Sequence, residues 1–170
     1  EALAINNLGQ IVGYALTAAG EPHAFLWEDG AMQDLGTLGG FESVAESIND
    51  LGQIVGYSQT SGGQFHAFLY ENGVMKDLNN LVDNPHLPPW EFIRATGVNN
   101  RGDITGLVEN GARRTFVARK LCRDTDGNGN ADNDGDGLCD NWETDGIDVD
   151  GDGIVDLRLY DVDQDGVISE

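Results

Sequence analysis

"AINNLGQIVGY", residues 4–14, decides the fold, because the chain repeats it. It returns as "SINDLGQIVGY" at 47–57 and more loosely as "GVNNRGDITGL" at 97–107. Two other elements travel with it. "HAFLW" at 23–27 returns as "HAFLY" at 66–70 and as "RTFVA" at 114–118. "AMQDLGTL" at 31–38 returns as "VMKDLNNL" at 74–81. The steps are 43 residues (Ile5 to Ile48) and 50 residues (Ile48 to Val98). Periods of this size are a signature of repeat architectures whose units bury their faces by stacking.

Each unit reads as strands between tight turns. "QIVGY" and "HAFLW" are short, apolar or aromatic, and flanked by turn formers. Asn7-Leu8-Gly9, Asp50-Leu51-Gly52 and Asn100-Arg101-Gly102 place glycine where a turn needs positive φ. Asp29-Gly30 and Asn72-Gly73 are hairpin signals. Roughly four short antiparallel strands per unit predict a mostly β domain over residues 1–120 with propeller-like blades. Three units, starting near residues 5, 48 and 98, are fewer than a closed propeller uses. The expectation is therefore a partial or open array belonging to a longer protein. An open array carries exposed sheet edges, which are prone to pairing.

These units resemble the HAF repeats of bacterial extracellular proteins. "HAFLWEDGAMQDLGTLGGFESVAESINDLGQIVGY" (23–57) carries nearly the whole consensus in order. The third unit departs, with Arg114 and Thr115 in place of His-Ala. The resemblance implies an extracellular or cell-surface bacterial protein and no particular chemistry.

Charge divides the chain in two. Residues 1–120 carry a net charge of −7, and residues 121–170 carry −14 of the total −21. Such a polyanion repels nucleic acid and anionic membrane faces, so the matching partner is a cation. No stretch approaches the roughly 20 apolar residues of a membrane helix, so no membrane span is expected.

"DNDGDGLCDNWE", residues 132–143, has the spacing of a calcium loop. Asp132, Asp134 and Asp136 take positions 1, 3 and 5, and Gly137 takes the sharp turn at 6. Leu138 offers a carbonyl at 7, Asp140 a carboxylate at 9, and Glu143 the bidentate place at 12. Calcium asks for six to eight oxygens at about 2.3–2.6 Å, and alternate residues of a coiled loop point inward to supply them. Without a cation, those carboxylates repel one another.

The rhythm recurs three times. Asp124, Asp126, Asn128, Asn130 and Asp132 form a preceding loop; Asp148, Asp150, Asp152, Ile154 and Asp156 form another. Asp161, Asp163, Asp165 and Val167 begin a fourth. Asp132 belongs to two loops, which implies neighbouring ions sharing a ligand. The first and third loops lack an acid at position 12, where Gly135 and Leu159 stand. A random polyacid would not hold glycine at the sixth place in all four.

There is no room for the flanking helices of an EF-hand pair. The tiling instead resembles thrombospondin type 3 repeats, whose chain wraps a row of calcium ions with almost no apolar core; single loops are also dockerin-like. The resemblance implies an irregular, calcium-wrapped segment over 121–170 holding several Ca²⁺ ions. Cys122 and Cys139 lie 17 residues apart. In an oxidising compartment they would pair, adding about 3 kcal/mol in the chain-entropy view. Two free thiols or a soft-metal site are the alternatives.

Other features have plain readings. His23 and His66 occupy equivalent places, but Arg114 replaces them in the third unit, so a repeat-wide catalytic role fails and they read as blade residues that hydrogen-bond a neighbouring turn. The Arg101-Gly102-Asp103 tripeptide follows from the turn register. The insertion "VDNPHLPPWEF" (82–92) reads either as a recognition loop or as cover for a sheet edge with Trp90 as a plug. No nucleophile elbow, phosphate loop or zinc spacing occurs, so no catalytic residues and no enzyme activity are expected. The expectation is an extracellular calcium-binding protein: β-repeats as an interaction module for a protein or carbohydrate ligand, and calcium repeats as a rigid spacer. A non-catalytic fragment of a larger secreted hydrolase, and a purely structural spacer, are the competing readings.

Overall fold

The computed structural model describes residues 1–81, 90–120 and 157–159. Among these, all but one short 3₁₀ turn (Leu78–Asn80) of the regular structure is β. Three four-stranded antiparallel sheets follow one another along the chain. The first contains β1 (Ala2–Ile5), β2 (Ile11–Leu16), β3 (Pro22–Glu28) and β4 (Ala31–Gly36). The second contains β5 (Gly39–Ile48), β6 (Ile54–Thr60), β7 (Phe65–Glu71) and β8 (Val74–Asp77). The third contains β9 (Glu91–Val98), β10 (Ile104–Glu109), β11 (Arg113–Lys120) and β12 (Leu157–Leu159).

Turn chemistry sets this meander. Gly9, Gly52 and Gly102 have φ of 81°, 77° and 77° in the turns entering β2, β6 and β10. Asp29 and Gly30 both have positive φ, as do Asn72 and Gly73, which suits the right-handed twist of two-residue hairpins. The expected hairpins between "HAFLW" and "AMQDL", and between "HAFLY" and "VMKDL", are therefore present as β3–β4 and β7–β8.

Glycine at the third residue of the "IVG" or "ITG" element has a different cause. A Cβ on Gly13 would stand 2.0 Å from the Glu1 carbonyl oxygen. On Gly56 it would stand 1.9 Å from the Val44 oxygen, and on Gly106 2.1 Å from the Arg94 oxygen. In all three sheets the preceding strand crosses where a side chain would be, next to a bulge in its register.

The sheets pack face to face. Val12, Ala24 and Leu35 of the first meet Ala45, Ile48, Ile54, Phe68 and Tyr70 of the second in one buried cluster. The opposite face of the second, with Val55, Ala67 and Leu69, meets Ala95, Ile104, Phe116 and Ala118 of the third. Period-two alternation thus gives the middle sheet two buried faces. Phe92 and Phe116 meet edge to face at 4.8 Å, a favoured aromatic geometry. Trp90 packs against this second cluster, as the plug reading expects; residues 82–89 of the insertion, His86 included, lie outside the described residues.

Two buried serines fasten the second sheet, one to the first sheet and one to the segment that joins the two. Ser43 Oγ accepts from the Ala24 amide at 2.8 Å and donates to the Gly36 carbonyl. Ser58 Oγ accepts from the Leu38 amide at 2.8 Å and donates to the Glu42 carbonyl. Both hydroxyls are buried and satisfied, as burial of a polar group demands.

The third sheet is built differently at its edge. β11 pairs antiparallel with β12, Ala118 opposite Leu159 and Lys120 opposite Leu157. The chain leaves this sheet at Lys120 and rejoins it at Leu157, inside the acidic segment.

Candidate functional site

The expected calcium ligands from Asp124 to Asp156 and from Asp161 to Val167, with Cys122 and Cys139, lie outside the described residues. Among the described residues, no group of three or more His, Cys, Asp or Glu side chains converges as a metal site would.

What the described residues do bring together is a polar ladder across the turns that precede β2, β6 and β10. Asn6 Nδ2 donates to the Asn49 carbonyl at 3.0 Å, and Asn49 Nδ2 donates to the Asn99 carbonyl at 2.9 Å. Beside this row runs a second. The Asn7 amide donates to Asp50 Oδ1 at 2.9 Å, and the Asp50 amide donates to Asn100 Oδ1 at 3.0 Å. Asp50 Oδ2 also accepts from the side-chain amides of Asn7 (2.7 Å) and Asn100 (2.9 Å). Each Asn also braces its own turn: Asn49 Oδ1 accepts from the Leu51 and Gln53 amides, the Asx-turn pattern. The repeated Asn is thus both turn former and inter-sheet strut.

Asp50 gathers the electrostatic consequence. Hydrogen bonds from the Asn7 side chain, the Asn100 side chain and the Asn7 amide hold its carboxyl below the usual aspartate range. A carboxyl depressed in the folded state stabilises fully above its unfolded value and stops doing so as pH falls through its folded value. Asp50→Asn is therefore expected to destabilise the chain at neutral pH, with the gap to wild type closing as falling pH protonates the carboxylate. Urea denaturation of both proteins from neutral to acid pH checks it; a constant gap would mean the carboxylate charge contributes nothing.

The two repeat histidines are held by carboxylates of the neighbouring strand. His23 Nδ1 lies 2.9 Å from Asp34, and His66 Nδ1 lies 2.6 Å from Asp77. His66 Nε2 also meets Glu91 of β9 at 3.1 Å, so both its ring nitrogens are engaged and it bridges the second and third sheets. That agrees with the reading of these residues as structural hydrogen-bonding groups, although the partners are strand carboxylates and not turns. The Arg101–Asp103 tripeptide sits in its turn as the register implies, with the Gly102 amide donating to the Asn99 carbonyl at 3.0 Å.

Two polar clusters escaped sequence reasoning. Arg94 of β9 pairs through Nη2 with Glu46 of β5 at 2.6 Å, and its Cζ lies 5.3 Å from the Tyr57 ring centre. Burial raises the pKa of the Tyr57 hydroxyl. Glu71, nearly fully buried, accepts from Lys76 Nζ at 3.2 Å and from Gln53 Nε2 at 3.3 Å. The first joins residues 48 apart in sequence, and the second links Lys76 across its own hairpin and Gln53 from β6, so no short repeat pattern announces either. Compared with protein-family models, with curated proteins and with solved structures, the chain gives no match.

Proposed function

We propose that this chain is an extracellular calcium-binding protein in which stacked, propeller-like sheets form an interaction module and the acidic segment is a calcium-stiffened spacer. The observation that carries the reading is the six-place match at 132–143: Asp132, Asp134, Asp136, Gly137, Asp140 and Glu143. Its repetition along residues 124–167 concentrates carboxylates at a spacing that only a cation makes favourable. Calcium acts structurally, neutralising charge and fixing the chain, with no catalytic role. The blade-like part of the reading draws support from three four-stranded meanders packed face to face in chain order.

Trp142 stands at position 11 of the best loop and supplies an optical probe. Terbium added to the metal-free chain is expected to luminesce on excitation of Trp142, and millimolar calcium to quench that signal by competition. Asp134→Ala with Asp136→Ala should remove the Trp142-sensitised emission. Absence of any response through a millimolar titration would defeat the proposal; emission that survives the double substitution would show the register to be wrong.

A further inference from the structure

The three sheets have two chemically distinct faces. One carries small aliphatic residues: Val12, Ala24 and Leu35 in the first sheet, Val55, Ala67 and Leu78 in the second. The other carries larger groups, which in the second sheet are Ile48, Ile54, Phe68 and Tyr70, buried against the first sheet. By position in the repeated motif, their counterparts in the first sheet are Ile5, Ile11, Phe25 and Trp27. Among the described residues none of these joins a cluster between sheets: Phe25 is buried, Ile11 and Trp27 are half-buried, and Ile5 is exposed. Ile5 is 67% exposed where Ile48 is 7% exposed. Met32 is 58% exposed, whereas its counterpart Met75 packs on the buried cluster.

The relief of this face matches its chemistry. A hollow of about 310 Å³ lies between Ala15, Thr17, Phe25 and Met32. At the corresponding place on the second sheet, beside Ser58 and Thr60, sits Leu38 of the segment that enters from the first sheet. In the turns the backbone amides run one way, Asn7 donating to Asp50 Oδ1 and Asp50 to Asn100 Oδ1, while a side-chain amide of Asn100 returns to Asp50 Oδ2. Asn7 Oδ1 stands where Asp50 Oδ1 and Asn100 Oδ1 each accept an amide, and among the described residues it accepts none.

We infer that the outer face of the first sheet is a docking surface for a further four-stranded sheet of the same kind, presenting a small aliphatic Val/Ala/Leu face and a donating turn. A second copy of this chain fits less well. The free face of its third sheet has exposed Thr105 and Thr115 where the second sheet has Val55 and Ala67. The inference rests on the stacked-sheet reading and not on calcium.

The test duplicates residues 1–43 in tandem ahead of Glu1, which keeps the 43-residue step from Ile5 to Ile48. Met32→Leu in the added copy leaves the original Met32 as reporter. Peroxide oxidation is followed by peptide mass spectrometry. In the natural chain Met32 is expected to oxidise about tenfold faster than Met75, and in the tandem chain to slow to the Met75 rate. Ile5→Glu should then lower the Tm of the tandem chain and leave that of the natural chain unchanged. Fast Met32 oxidation beside slow Met75 in the tandem chain overturns the docking surface while the stack stands. Fast oxidation of Met75 in both chains overturns the stack and the docking surface together. Concentration-dependent dimerisation of the natural chain that protects Met32 would assign the face to a second copy and so overturn the occupant named here.

Discussion

Phe68→Ala is expected to lower the stability of the chain by about 3–5 kcal/mol, the usual cost of truncating a buried phenylalanine. Phe68 is fully buried in the cluster between the first and second sheets. Its ring also rests against the crossing point of β5 and β6: a Cβ added at Gly56 would lie 3.0 Å from Phe68 Cε1 and 1.9 Å from the Val44 oxygen. The ring therefore fills the space that glycine leaves, and backbone on one side limits how far the cavity can collapse. Poor collapse places the cost toward the upper part of that range. A domain of this size holds about 5–15 kcal/mol in total, so the loss would consume much of it. Urea denaturation should show a lower midpoint with little change in slope, since the surface exposed on unfolding is nearly the same. A loss below about 1 kcal/mol would mean that the two sheets do not pack through this ring.

Sheet content and turn placement were legible because they are local. A glycine with positive φ, or an Asp-Gly pair, dictates its turn within four residues, and β2, β6 and β10 start where those turns end. The side-chain struts were not legible in the same way. Asn49 looks like one more turn residue until the stack sets its amide against the Asn99 carbonyl, 50 residues away. Nothing local marks Ser43 and Ser58, yet both are buried, Ser43 against β3 and β4 and Ser58 against the segment that leads into the second sheet. β12 was hidden for a further reason. Three residues, Leu157–Leu159, are too few to show a strand period, and their partner β11 is separated from them by the acidic segment. Of the candidate sites, the carboxylate spacing could be read directly, because a calcium loop is a local pattern. The outer face of the first sheet could not. Ile5, Ile11, Phe25 and Trp27 repeat the pattern of Ile48, Ile54, Phe68 and Tyr70, and only the packing order shows that this copy meets no further sheet among the described residues.

Calcium in hundredfold excess over its dissociation constant is expected to stabilise the fold by about 2.7 kcal/mol for each independent loop that binds only in the folded state. Sharing of Asp132 between two loops should make their binding interdependent, so the total is not a simple multiple. The third sheet should respond most. Its strands β11 and β12 are joined through residues 121–156, which carry the best loop. Closing a long connection costs entropy, and on the proposed reading bound calcium would lower that cost when β12 pairs with β11. Amide exchange in β10 and β11 should therefore slow on adding calcium by more than exchange in β2 and β3. Magnesium should not substitute, since it demands octahedral geometry at about 2.0–2.1 Å and gives up its waters reluctantly. Melting curves that coincide in calcium and in chelator would leave the acidic segment thermodynamically separate from the sheets. Stabilisation spread evenly over all three sheets would place the linkage somewhere other than the β11–β12 connection.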